Sequence, residues 1–154
     1  MRFLGTSGII AAYSAWLEKH LMSCHFEFDS TNRILRCRIE GRVADETLKK
    51  YYGLAAKFVA LNAPCAGIFD MSAVTYFNVS PDTIRELANL PPAVADPNRP
   101  RFIVAASAHI FGMARMFELQ GQSTRPNLHV VRTANEVWVI LGVQEPHFEP
   151  IQTE

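Results

Sequence analysis

At 154 residues the chain is long enough for one domain with a real core and too short for several. Hydrophobic residues make up 49%, which excludes a disordered chain. Fifteen Lys and Arg against fifteen Asp and Glu leave no field of one sign to draw nucleic acid or an anionic membrane. Cys24, Cys37 and Cys65 are odd in number, far apart in sequence and free of any CxxC, which speaks against a disulfide framework or a zinc site and for a reducing compartment, the cytoplasm.

Residues 3–17 are almost uncharged and follow Arg2. They lack a clear small-x-small cleavage site and are short for a bilayer, so no integral membrane segment is expected. Ile9, Tyr13, Trp16 and Leu17 share a helical face, as in an amphipathic extension. Met22 begins a more conventional domain, so residues 1–21 read as an extension or a misassigned start.

From His25 to Asp29 the pattern alternates, Ser30-Thr31-Asn32 reads as a turn, and Leu35, Cys37 and Ile39 alternate with Arg36, Arg38 and Glu40. Two strands forming an antiparallel hairpin at the sheet edge are expected, with Cys37 pointing inward as a small apolar residue. Gly41 is expected to break the second strand and Asp45 to cap a helix. Leu48, Tyr51, Tyr52, Ala55, Phe58 and Val59 then share one face as far as Pro64. Ala66 to Asp70 suits a central parallel strand covered on both faces.

Ser80-Pro81-Asp82 opens the next helix: a capping hydroxyl, proline at the first position, then a carboxylate at the positive end. Ile84, Leu87 and Ala88 give it a buried face, and Pro91-Pro92 closes it. Asp96 to Pro100 is a loop, Phe102 to Ala106 a buried strand, His109 to Gln120 a helix, and Leu128 to Val131 the last strand. Thr133-Ala134-Asn135-Glu136 matches a capping box, and Val137, Trp138 and Leu141 bury the final helix. The segment after Gly142, with Pro146 and Pro150, is expected to be loose. Helices of this length between strands predict right-handed crossovers and a single α/β domain over residues 22–142. Its sheet is mostly parallel, with the hairpin at its edge.

No GxxxxGK[ST], GxGxxG or GxSxG occurs, and the five histidines never take metal-ligand spacing. No catalytic residue, metal or cofactor is therefore assigned. Asp70 ends a central strand with Ser72 two residues on, where open α/β sheets place their sites. Either the pair makes a polar contact in a crevice or, the favoured reading, both side chains tie down a turn. On the helix from His109, Ile110, Met113, Ala114 and Phe117 form a core stripe, while Phe111, Met116 and Leu119 fall off it beside Arg115. A helix apolar nearly all round is buried on several sides. A partner, a second copy or the N-terminal extension would cover that face, unless these are scattered surface hydrophobics.

At Asp70-Met71-Ser72-Ala73-Val74-Thr75-Tyr76-Phe77-Asn78-Val79-Ser80 the chain resembles the STAS domain family, and within it the SpoIIAA-like branch of bacterial proteins. Phe111 to Glu118 also resembles a segment of that branch. The resemblance covers about residues 22–142 and implies a non-enzymatic regulatory or adaptor module that binds another protein, as anti-sigma-factor antagonists do. It also implies a serine, just before the helix at Pro81, that a partner kinase phosphorylates. The matching position holds Val79, so the switch is not expected here. Asp70, Ser72, Asn78, Ser80, Phe111, Arg115, Met116 and Leu119 are the candidate partner-binding residues, the partner being another protein or a second copy of the chain. The rival reading is a small-molecule or lipid-binding domain, because this fold class is related in layout to lipid-binding α/β proteins. A hydrolytic enzyme stands third. A large apolar pocket favours the rival; a flat, partly apolar face favours protein binding.

Overall fold

A computed structural model describes residues 8–12 and 22–151. Residues 8–12 are helical and exposed, and the remainder of the expected amphipathic extension lies outside the described residues. The elements run β1 (Met22–Asp29), β2 (Ile34–Ala44), α1 (Asp45–Asn62), β3 (Ala66–Asn78), α2 (Pro81–Asn89), β4 (Arg101–Val104), α3 (Ala108–Gln120), β5 (Leu128–Val131), α4 (Ala134–Leu141) and β6 (Glu149–Pro150). They form one six-stranded sheet of order β5-β4-β3-β2-β1-β6. Strands β2 to β5 pair in parallel, and the β1–β2 hairpin is antiparallel. The single α/β domain with a mostly parallel sheet is therefore present.

Strand order falls steadily from β2 to β5, so three right-handed crossovers place α1, α2 and α3 on the same face. That face buries Phe26, Leu35, Cys37, Ile39, Leu48, Tyr51, Phe58, Ile84, Leu87 and Ile110 in the larger core. The last helix, α4, crosses to the opposite face, where Ile34, Ala66, Ile68, Phe102, Val104 and Val137 form the smaller core. Alternating side chains of β3 serve both cores, as a central parallel strand requires.

Three expectations are corrected. Strand β2 does not stop at Gly41: the glycine takes φ 78°, the pairing with β3 shifts register on either side of it, and the strand continues to Ala44. Glycine absorbs such a bulge without the steric cost a side chain would meet. The cap of α1 is Ala44, not Asp45; the Asp45 carboxylate instead accepts the amide of Ser80 at 2.7 Å. The segment after Gly142 is docked rather than loose. Val143 and Phe148 pack on the smaller core, β6 pairs antiparallel with β1, and the Ile151 amide donates to the Phe26 carbonyl at 2.8 Å. Proline in a strand is tolerated at an edge, where its missing N–H costs no ladder bond.

Candidate functional site

Strand β3 is longer than its sequence run suggested. Pairing with β4 ends at Asp70–Val104, but pairing with β2 continues to Asn78–Ala44. The branched and aromatic residues Val74, Thr75, Tyr76 and Phe77 sustain this overhang. Among the described residues, no strand pairs with the β4-side edge of β3 from Met71 to Asn78. Ser72, Ala73, Thr75, Tyr76 and Asn78 are exposed along it, Tyr76 at 51% with the Arg42 guanidinium 4.7 Å from its ring centroid.

Asp70 is buried where β3 leaves β4. Its Oδ1 accepts the Ser72 hydroxyl at 2.6 Å and the Ser72 amide at 3.0 Å, so the pair is tied locally, within the strand rather than at its end. Ser80 caps α2, accepting the Thr83 amide at 3.3 Å, while Val79 beside it is buried. Asp45 is held below its usual carboxylate range, first by the Ser80 amide it accepts. Helix α3 starts beside the overhang, with the His109 and Phe77 rings 5.7 Å apart, edge to face. Phe111 lies under the Arg132 guanidinium, 4.3 Å from its ring centroid, and with Met116 packs on the larger core. Arg115 pairs with Glu118. Leu119 alone of the three off-stripe residues stands out, 60% exposed. At about 1.5 Å per residue it lies roughly 15 Å along α3 from His109. The structure therefore spreads Asp70, Ser72 and Asn78 along the β3 overhang, about 26 Å from first to last, with Ser80 just beyond its end and the start of α3 beside Phe77. Arg115, Met116 and Leu119 extend away from them.

A second feature was not legible in the sequence. Between the sheet and α1, α2 and α3 lies a cavity of about 150 Å³, walled by Leu35, Leu48, Ile84, Met113, Phe117, Leu128 and other apolar side chains. Arg101 and Arg125 also contribute to its wall. Arg125 is buried and almost fully engaged. It donates to the carbonyls of Leu87, Ala88 and Leu90 at the end of α2, to the Thr124 hydroxyl and to the Tyr52 hydroxyl at 2.6 Å. Arg101 is 8% exposed, and its Nη2 donates to the Val94 and Asp96 carbonyls at 2.9 and 2.7 Å. The carbonyls that receive Arg125 lie 35 to 38 residues away, and those that receive Arg101 lie in the irregular loop before β4.

No family model matches the chain, and no curated protein matches it. Among solved structures, the anti-sigma factor antagonist SpoIIAA in its unphosphorylated form matches 80% of this chain and 100% of its own length, with a TM-score of 0.53 and 9% sequence identity. The fold is STAS-like. At that identity the likeness is one of fold. In STAS-like terms the overhang of β3 and the start of α2 are the segment on which the sequence resemblance rests, and the cavity lies beneath the helical layer beside them. No described helix is long and apolar enough to cross a membrane.

Proposed function

We propose that this STAS-like domain is a non-enzymatic regulatory or adaptor module that binds another protein at the carboxyl end of its sheet. The observation that carries the reading is the open edge of β3 from Met71 to Asn78. An unpaired strand edge presents backbone donors and acceptors that an extended segment of a partner can continue. Tyr76 and Arg42 offer an aromatic and a cationic contact beside it. Anti-sigma factor antagonism, as in SpoIIAA, is one form such a function takes.

The phosphoserine switch is not part of this reading. Val79 is buried and has no hydroxyl, and the Ser80 hydroxyl is occupied as the cap of α2. Ser80→Ala should cost about 0.5–2 kcal/mol of stability, as a lost cap does, and leave partner binding intact. A photo-crosslinking residue at Tyr76 or Ser72 should give one discrete adduct in native extract, whereas one at exposed Val139 on α4 should not. Identical adduct patterns at all three positions would sink the reading, and a stoichiometric phosphate on Ser80 by intact-mass analysis would restore the switch.

A second reading, binding of a small molecule, is favoured by the apolar cavity under α1 to α3. A largely apolar cavity of this size has room for a benzene-sized guest. The cavity adjoins the β3 overhang, since Met71 and Phe77 line it.

A further inference from the structure

We infer that Cys24 and Cys37 are a site of reversible oxidation, closed to a disulfide across the β1–β2 hairpin by a peroxide and reopened by a dithiol. The register of the hairpin sets the pair. Cys24 stands opposite Ile39 and Cys37 opposite Phe26, so the two cysteines are diagonal neighbours on one face. Both side chains pack into the larger core, and both thiols are free. Their sulfurs are 2.7 Å apart, and a disulfide is about 2.05 Å long, so closure asks for a movement of roughly 0.7 Å. The Cys24 end of β1 has room to make it. Among the described residues, β6 pairs with β1 only at Glu27 and Phe28, and the Ile151 amide adds one bond to the Phe26 carbonyl. From Met22 to His25 the outer edge of β1 pairs with no described strand. Cys65 is no rival partner. Its amide donates to the Arg33 carbonyl, which places it about 13 Å along β2 from Cys37.

Burial assigns the two thiols different roles. Cys24 is half-buried, so a compact oxidant reaches it first, whereas Cys37 is 2% exposed and burial pushes its thiol up. In the first step the Cys24 sulfur attacks one oxygen of hydrogen peroxide. The O–O bond breaks, Cys24 becomes a sulfenic acid, and the other oxygen leaves as water. In the second step the Cys37 sulfur attacks the Cys24 sulfur. The S–S bond forms, and the sulfenic hydroxyl leaves with the Cys37 proton as a second water. The two thiols lose two electrons and the peroxide gains them. Three cysteines without a framework suit one transient bond of this kind in a reducing compartment, not a permanent staple. Cys37 also lines the cavity beneath α1 to α3, so the bond forms in the cavity wall.

The test treats the full chain carrying Cys65→Ser with hydrogen peroxide under native conditions, followed by intact mass and peptide mapping. The chain should lose two hydrogens, yield a peptide pair linked through Cys24 and Cys37, and return to its starting mass with dithiothreitol in the absence of denaturant. Adding Cys24→Ser should abolish the loss and leave Cys37 as a thiol. Adding Cys37→Ser should instead leave Cys24 as a sulfenic acid that dimedone captures. The linked peptide from the Cys65→Ser chain decides the matter even where a second substitution prevents folding. An unchanged mass, a Cys24 sulfinic acid beside a free Cys37 thiol, or a Cys24–Cys24 dimer would each overturn the inference. A bond that dithiothreitol opens only in urea would overturn its reversibility, since such a bond is a permanent staple.

Discussion

Asp29 is 1% exposed and closes β1, and its carboxylate serves two parts of the chain. It accepts the amides of Thr31 and Asn32 and the Asn32 side chain at 3.0, 3.1 and 2.8 Å, fixing the hairpin turn, and it accepts the His147 amide at 3.2 Å, fixing the tail. Burial pulls its pKa upward, but the bonds from Asn32, His147 and Thr31 outweigh it, so the group sits below the ordinary 3.8. A carboxylate depressed in the folded state contributes stability that is present above the unfolded value and lost as pH falls through the folded one. Asp29→Asn should therefore cost about 1–3 kcal/mol at neutral pH, because the amide nitrogen cannot accept. Its stability should also fall less steeply than the wild type's below about pH 4 in acid titrations followed by circular dichroism. Parallel acid profiles for the two proteins would contradict this. The cysteines make a second prediction at this scale. Cys37 is buried with its Sγ 2.7 Å from that of Cys24, so residues distant in sequence meet across the hairpin. Burial and then Cys24 push the Cys37 thiol well above its ordinary value, whereas Cys65 is exposed. A thiol reagent under native conditions should label Cys65 quickly and Cys37 only on unfolding; early labelling of Cys37 would contradict the register of β2.

At the scale of elements, two helices end on arginines supplied from elsewhere. Arg33 donates to the Asn62 and Ala63 carbonyls at 3.1 and 2.7 Å, at the end of α1, and Arg125 gathers three carbonyls at the end of α2. A cation there answers both the orphan carbonyls and the negative end of the helix dipole. Arg125→Met should cost about 2–4 kcal/mol in urea unfolding, because buried carbonyls and the Tyr52 hydroxyl lose their donor. Arg125→Lys should recover little, since one ammonium cannot span the fork. A loss within about 0.5 kcal/mol, as for an ordinary surface substitution, would contradict the capping role. The helix starts were legible: Ser80 with Pro81, and the Thr133–Glu136 box, are local patterns, and each caps the helix it announces. The parallel strands Ala66–Asp70 and Leu128–Val131 were legible as apolar runs. The overhang of β3 was not, because Asp70 and Ser72 bond each other in the manner of a turn while the backbone stays extended. The cavity and its arginines were not legible either, because no local pattern records that carbonyls 35 to 38 residues away receive Arg125, or that an irregular loop turns its carbonyls onto Arg101. On α3, the nearly all-round apolar pattern is met largely by its own domain, with Leu119 exposed where Phe111 and Met116 are not.

For the whole molecule, the two ends of the chain are expected to matter unequally. Residues 8–12 are helical with Ile9 and Ile10 exposed, and every strand of the sheet begins at or after Met22. Deleting residues 1–21 should leave the thermal midpoint within a few degrees. Deleting residues 143–154 should not be tolerated so well, although Pro146 and Pro150 made that segment look loose. Its Phe148 ring stacks 3.9 Å beneath the Arg36 guanidinium and lies 5.8 Å from the Trp138 ring. It thereby covers the Arg36, Arg38 and Glu27 ion network on the face that α4 leaves bare. Glu27 and Phe28 on β1 pair with Pro150 and Glu149 of β6, and Asp29 receives the His147 amide. Removing the segment uncovers part of Trp138, opens the β1 edge and takes one donor from a buried carboxylate. The lost burial of Val143 and Phe148 with the broken hydrogen bonds sums to about 3 kcal/mol, or roughly 10 °C in midpoint for a domain of this size. Phe148→Ala alone should account for about 1–2 kcal/mol of it. An opened edge strand also invites pairing with other copies, so the truncated chain should show concentration-dependent association by light scattering. Equal midpoints for the full chain and the chain ending at Gly142 would show that β6 and Phe148 rest on the domain without holding it together.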